Sequence, residues 1–298
     1  MKNSISVLIP CYNCRCRELV SSLHFLLEKE KNADSTFRYE VIVADDGSTC
    51  HDIINYNKSI NNLPDCRYIT RGCNVGRAAI RNFLAKEASL ENFLFLDGDI
   101  TITDNSFISK YRQTEADVVV GGLTIGGDSR KLNRNIRFLY EKAAENAHNA
   151  DSRKQAEHKE FRTINFMISS RLALRFPFNE NFKGYGYEDV LMGKELSGNN
   201  IRIEHIDNPV VLDDYEDNET FVAKTEEAMH TLKEFENELQ GYSTLLTYYG
   251  KIKKWHLATC VRMIHSIFGK SIRKNLAGNN PQLFLFNLYK LIYFTSLS

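Results

Sequence analysis

The stretch ENFLFLDGDITITD, residues 91–104, decides the fold. Its run Asn92-Phe93-Leu94-Phe95-Leu96 shows no polar–apolar alternation, so it reads as a strand buried on both faces. The run ends in Asp97-Gly98-Asp99, two carboxylates parted by one glycine, and apolar Ile100 follows at once. Like charges that close repel each other and lose hydration, a cost that stands unless a cation or a set of donors sits between them.

Working outward, the same grammar recurs upstream. SVLIP (6–10) reads as a strand, followed by a helix over 17–30 whose Leu19, Leu23, Leu26 and Leu27 share one face. YEVIVADDGS (39–48) is a second strand that runs into Asp45-Asp46 and a turn, and a helix follows from about 51. CRYITR (66–71) is a third strand, and NVGRAAIRNFLAKEA (74–88) a helix opened by Asn74 and Gly76. Continuous apolar strands alternating with helices indicate an α/β protein with a mostly parallel sheet covered on both faces. Such sheets bind ligands beyond the carboxyl ends of their strands, where both acidic clusters fall.

Downstream the pattern is less regular. ADVVVGGLTIGG (116–127) gives a strand and a glycine-rich turn, 130–160 a polar helical span, and TINFMIS (163–169) another buried strand. A loop with two glycines leads to a helix beginning near Glu188, two short strands flank Pro209, and a helix covers 219–239. No Pro-, Gly- or Ser-rich linker divides the chain before about 240, so 1–240 reads as one domain and 241–298 as a helical appendage.

At 298 residues, 43% hydrophobic and 26% charged, the composition is that of a globular protein, with no low-complexity tract or repeat. The apolar run before Pro10 is too short for a signal peptide or a spanning helix, and seven irregularly spaced cysteines suit reduced thiols; the expectation is a cytoplasmic protein. Cys11, Cys14 and Cys16 have no second pair at zinc spacing and read as incidental thiols. Net charge is zero, yet residues 251–298 hold eight Lys or Arg and no Asp or Glu, leaving the first 250 residues acidic by the same amount. Within this basic tail Leu257, Val261, Ile264 and Phe268 form an apolar helical stripe. Two readings stand open: the tail lies peripherally on an anionic inner membrane face, or it packs on the catalytic domain or another subunit. The run 283–294 is too short to span a bilayer, and no nucleic-acid-binding motif accompanies the charge.

Five ordered segments, ISVLIPCYN (5–13), VIVADDGST (41–49), NVGRAAIRN (74–82), FLFLDGD (93–99) and GYGYEDVLMGKEL (184–196), resemble family 2 nucleotide-sugar glycosyltransferases of the GT-A fold, the last with a galactosyltransferase-like Glu-Asp motif. The likeness covers about residues 4–240 and implies a nucleotide-binding half (about 1–125) and an acceptor-binding half (about 126–240). Physical reasoning agrees: a leaving nucleoside diphosphate gains negative charge, and Mn²⁺ or Mg²⁺ held by carboxylate oxygens stabilises it. Asp99 is then the metal ligand. The resemblance gives Asp97 the ribose or a water-mediated metal contact, and Asp46 the base, with Pro10, Tyr12 and Asn13 lining that pocket. It sets Asn74, Gly76, Arg77 and Arg81 beside the nucleotide.

By the same resemblance Asp189 is the general base that deprotonates an acceptor hydroxyl, which implies inversion, and Glu188 binds sugar hydroxyls. Gly186 lets the chain turn, while Tyr185 and Tyr187 offer faces for sugar rings. The expected activity is metal-dependent transfer from a nucleoside diphosphate sugar, with UDP foremost, to a glycan or lipid-linked glycan, as in polysaccharide biosynthesis. One departure stands out: Leu212 occupies the place of an expected histidine ligand, leaving Asp213, Asp214 or His205 to supply the third ligand. That departure keeps a catalytically impaired sugar-nucleotide-binding module in view. A dinucleotide oxidoreductase is disfavoured, because PCYNCRC replaces the glycine fingerprint after the first strand.

Overall fold

A computed structural model describes residues 1–297. The first half alternates as expected: β1 (Ser4–Cys11), α1 (Arg17–Ala33), β2 (Arg38–Asp45), α2 (His51–Lys58), β3 (Cys66–Thr70), α3 (Arg77–Glu87) and β4 (Asn92–Leu96). The apolar strands are double-sided. Val7, Val41 and Leu94 join the layer under α1, whereas Leu8, Ile42, Phe93 and Phe95 join the layer that contains Ile80 and Leu84 of α3. Period-two geometry sends alternate side chains to opposite faces, so a strand apolar at every position needs cover on both.

Beyond the acidic tip of β4 come β5 (Ile100–Thr101), α4 (Phe107–Gln113), β6 (Val118–Val120) and β7 (Leu123–Ile125). The polar helical span is made of α5 (Ile136–Ala144), a 3₁₀ turn and α6 (Ala150–Lys154), with Asn135 and Asn149 capping the two helices through their side chains. β8 (Asn165–Ser169) is followed by a short α7 (Ser170–Arg175), then α8 (Glu188–Gly198), β9 (Glu204–His205), β10 (Val210–Leu212) and α9 (Asn218–Glu234).

The seven-stranded sheet has the order β3-β2-β1-β4-β8-β6-β9. All neighbours run parallel except β8, which lies antiparallel between β4 and β6. Phe95 of β4 stacks on Phe166 of β8 with ring centroids 5.0 Å apart. A separate small sheet has the order β5-β10-β7; β10 is one of the two short strands expected around Pro209, whereas β5 and β7, two and three residues long, were not singled out in the sequence.

The last helices are α10 (Thr244–Lys254), α11 (Ala258–Leu276) and α12 (Leu283–Ser296). Of the two readings of the tail, packing holds for α12: Phe286, Tyr289, Ile292 and Phe294 are buried against Phe221 and Val222 of α9, Ile136 of α5 and Tyr249 of α10. The expected stripe is packed only in part, with Val261 lying against the cluster that α9 and α12 form. α11 buries Gly269, Ile272 and Leu276, whereas Leu257, Ile264 and Phe268 are 43%, 41% and 54% exposed. Among the described residues no helix is long and apolar enough to cross a membrane, and the seven cysteines are free thiols.

Candidate active site

Three adjacent strand ends form the floor of a cleft, with β1 between β2 and β4. At the β2 tip Asp45 is consumed structurally: it accepts the Ser48 amide at 2.7 Å and the hydroxyl of Tyr68. Asp46 turns the other way. Its two carboxylate oxygens accept the backbone amides of Val75 and Gly76, each at 3.0 Å, so it holds the loop that opens α3. Burial pushes the Asp46 carboxyl above its ordinary range, and those amides offset part of the rise. Gly47 takes φ +76°, and a Cβ there would meet the Cys73 carbonyl carbon at 2.5 Å; only glycine lets the two loops touch.

The β1 tip carries Pro10, half-buried, and Tyr12, 48% exposed. Asn13 adopts φ +50° and fastens the two tips together: its amide donates to Ser48 Oγ, and its Oδ1 accepts the amides of Thr49 and Cys50 where α2 begins. Asn74 makes a local turn, accepting the Gly76 amide at 3.1 Å. The residues expected around the nucleotide therefore form one continuous rim, with Asp46 and Asn13 holding backbone and Tyr12 exposed.

At the β4 tip the glycine between the carboxylates has a steric reason. A Cβ on Gly98 would lie 2.8 Å from Cys14 Sγ and 3.3 Å from the Pro10 carbonyl, so the acidic turn is pressed against the β1 loop. Donors for Asp97 come from α3. Arg81 is only 1% exposed, and its guanidinium donates to Asp97 Oδ1 at 2.8 Å and to Glu188 Oε1 at 3.1 Å. The sequence suggested Arg81 on one face with Arg77, beside the nucleotide. Instead Arg81 is spent on two carboxylates and joins the β4 tip to the start of α8.

Asp99 has no such partner: among the described residues none donates it a hydrogen bond. Desolvation and the neighbouring Asp97 raise its carboxyl to about 6, against the pull of Arg137 and Arg77. Arg137 of α5, ion-paired to Glu216, is a site residue that sequence reading missed. It lay inside the polar span 130–160 with nothing to set it apart.

The second carboxylate pair follows a strained turn. Gly186 has φ +87° and Tyr187 φ +71°, and α8 begins at Glu188. The turn is held from α9, where Glu227 accepts the Tyr185 amide at 3.0 Å. The Tyr185 ring lies under the Arg77 guanidinium, 4.4 Å from centroid to Cζ. Although desolvation opposes its charge, Tyr185, Asp97, Glu188 and Asp99 around Arg77 hold it cationic. Tyr187, like Val190, Ala228 and Leu245, packs against the apolar cluster that α10 and α12 complete. Glu188 is 4% exposed. Desolvation and then the adjacent Glu188 push Asp189 up to about 6.

The three candidates for a further metal ligand are placed very differently. His205 lies on β9, three strands from β4, with Nδ1 2.9 Å from Arg153 and Nε2 2.8 Å from the Glu157 carbonyl. Both ring nitrogens are engaged and burial lowers its pKa to about 4. Asp214 is exposed beyond β10. Asp213 follows directly on the antiparallel ladder in which Leu212 of β10 pairs with Ile100 of β5, the residue after Asp99. The Thr101 hydroxyl lies 3.2 Å from each Asp213 oxygen. Among the described residues no three His, Cys, Asp or Glu side chains are gathered closely enough to hold a metal ion. An unpartnered carboxylate with a raised pKa suits a hard cation that takes its remaining ligands from phosphate and water.

A mostly parallel sheet, a carboxylate pair at the tip of a central strand and a second pair opening a helix across the cleft together define the GT-A class of glycosyltransferases. The chain belongs to glycosyl transferase family 2: the sequence model of that family matches residues 6–182, more than half of its length. Its fold is similar to that of mannosyltransferase PcManGT from Pyrobaculum calidifontis, solved with GDP-Man and Mn²⁺, at 11% identity and TM-score 0.56, covering 98% of this chain and 84% of that one. It is likewise similar to S. aureus TarS 1-349, solved with UDP-GlcNAc, at 16% identity and TM-score 0.52, covering 99% and 91%. No curated protein matches the sequence.

Proposed function

We propose that this glycosyltransferase moves a sugar from a nucleoside diphosphate sugar, with UDP as the expected nucleotide, to a hydroxyl of a glycan or lipid-linked glycan, with inversion and with Mn²⁺ or Mg²⁺. The observation that carries the reading is the Arg81 bridge. It ties Asp97 of the acidic turn to Glu188 of the Glu-Asp pair, which supports setting the donor-side and acceptor-side carboxylates next to one another. The cation would be held by Asp99, with Asp97 beside it and Asp213 as the third carboxylate. When bound, it would neutralise the charge that grows on the departing diphosphate.

The residues then divide the work. Asp189 takes the proton of the acceptor hydroxyl; the oxygen bonds to the anomeric carbon as the bond to the diphosphate oxygen breaks. A single displacement of this kind inverts configuration, and a positioned base contributes ~10²–10⁴-fold. Glu188, fixed by Arg81, orients sugar hydroxyls. Tyr12 and Asp46 bound the base pocket with Pro10, Asn13, Asn74 and Gly76, while Arg77 offers its charge to the phosphates. Tyr185, Gly186 and Tyr187 shape the acceptor side. A role in polysaccharide assembly at a membrane surface belongs to the same reading, the tail from residue 251 supplying the contact.

The absence of a preformed three-ligand cluster supports a second reading, a module that binds sugar nucleotides without turnover. One experiment separates them: calorimetry of UDP with and without Mn²⁺, followed by donor hydrolysis across a panel of sugar nucleotides. Metal-dependent binding that Asp99→Ala abolishes, together with turnover, is expected. Unchanged affinity in that variant removes the metal assignment, and binding without turnover for any donor favours the module.

A further inference from the structure

The corner between α10 and α11 is the least covered apolar surface of the molecule that also carries charge of one sign. Trp255 is 67% exposed and Leu257 43%, and along α11 Met263, Ile264, Ile267 and Phe268 are 58%, 41%, 66% and 54% exposed. At 3.6 residues per turn these four fall on one side of α11, turned away from Gly269, Ile272 and Leu276, which the helix buries. Lys270 and Lys274 continue the same side one and two turns beyond Ile267, and Lys251 and Lys254 stand on the last turn of α10. Soluble surfaces scatter large apolar side chains singly, and a contiguous patch marks a contact.

We infer that this corner is a membrane-docking surface, inserting Trp255, Ile267 and Phe268 among lipid acyl chains while the neighbouring lysines meet anionic headgroups. The inference rests on the membrane part of the reading above and is independent of glycosyl transfer. Charge selects the occupant. Residues 251–298 contain no Asp or Glu, so a second copy seated face to face would set lysines against lysines. Nearby acids are already taken: Glu236 pairs with Lys253 and Lys233, and Glu219 and Glu226 with Arg273. An anionic bilayer offers what the corner lacks, an apolar interior under a negative surface. The hydrophobic run 283–294, the more obvious anchor in the sequence, is excluded because α12 turns Phe286, Tyr289 and Ile292 into the core.

Trp255 is the only tryptophan in the chain, which makes it a native probe. The full-length protein is mixed with vesicles of phosphatidylcholine alone or of phosphatidylcholine with phosphatidylglycerol. The expected result is co-sedimentation with the anionic vesicles, weakened by salt, with a blue shift of Trp255 emission and quenching by brominated acyl chains. Ile267→Glu with Phe268→Glu should weaken binding at least tenfold, and Lys251→Glu with Lys254→Glu should do the same, since each cation near such a surface is worth ~5-fold. Neither pair should move the melting temperature or UDP affinity. Absence of binding to anionic vesicles at low salt overturns the proposal. So does binding with unchanged Trp255 emission, or a concentration-dependent dimer that the Ile267/Phe268 pair abolishes.

Discussion

Arg81 is the side chain on which the site turns. Its guanidinium is buried between Asp97 and Glu188, so truncating it leaves two carboxylates without their shared counter-charge. Removing one partner from a buried ionic cluster costs ~3–5 kcal/mol. Arg81→Met is therefore expected to lower denaturant stability by that amount and to lose transfer, and Arg81→Lys to recover only part, because one ammonium lacks the fork that reaches both carboxylates. Asp189 makes a different prediction. The proposed base must be deprotonated to work, so kcat/KM should fall as pH drops through about 6, and Asp189→Asn should lose at least ~10²-fold in transfer while UDP affinity holds. Stability runs the opposite way. A carboxyl whose folded pKa is raised favours the fold below the ordinary carboxylate range and loses that contribution as pH rises through about 6. Thermal melts should accordingly show Asp189→Asn ~1–2 kcal/mol more stable than the parent at pH 8, with the gap closing near pH 4. The aspartates themselves were legible from sequence, since carboxylates at strand ends and in the first turn of a helix need a reason. The role of Arg81 was not. Its partner lies 107 positions away, and no local pattern reveals which side of a helix will face it.

Among the elements, the strands β1, β2 and β4 were readable because each carries a continuous apolar run, residues 7–9, 41–44 and 93–96, buried on both faces. β2 nonetheless stops at Asp45, where the next two residues must turn to reach Val75 and Gly76. Gly47 is the pivot, and Gly47→Ala combines a left-handed φ with a backbone clash. It should cost ~1–3 kcal/mol and weaken nucleotide binding severalfold, measured by denaturant titration and calorimetry. The span 130–160 was read as helical without its internal breaks, because charge alone carries no period. Asn135 and Asn149, which cap α5 and α6, were the overlooked break signals. β10 was expected as one of the two short strands around Pro209, but its two-residue partner β5 was too short to show, and it is their pairing that sets Asp213 against Thr101, two residues from Asp99. Asp213→Ala should raise the Mn²⁺ concentration needed for UDP binding, and an unchanged metal titration would leave Asp213 with only its contact to Thr101.

For the molecule as a whole, the fold class was legible and the fate of the tail was not, since a basic amphipathic segment suits a membrane and a protein neighbour equally. The structure divides it, with α12 inside and the α10–α11 corner outside. Ending the chain after residue 250 should therefore do more than remove the proposed membrane contact. It removes Phe286, Tyr289 and Phe294 from the core under α9, and the shortened protein is expected to aggregate or to melt far below the parent. Phe286→Ala alone should cost ~3–5 kcal/mol in chemical denaturation. The guanidinium bridge also bears on engineering. On the proposed division into donor-side and acceptor-side halves, a chimaera that takes its acceptor half from another enzyme imports whatever residue stands at position 188. If that residue is not acidic, a positive charge is sealed under the graft, so acceptor specificity can be exchanged only together with the α3 residue that faces it.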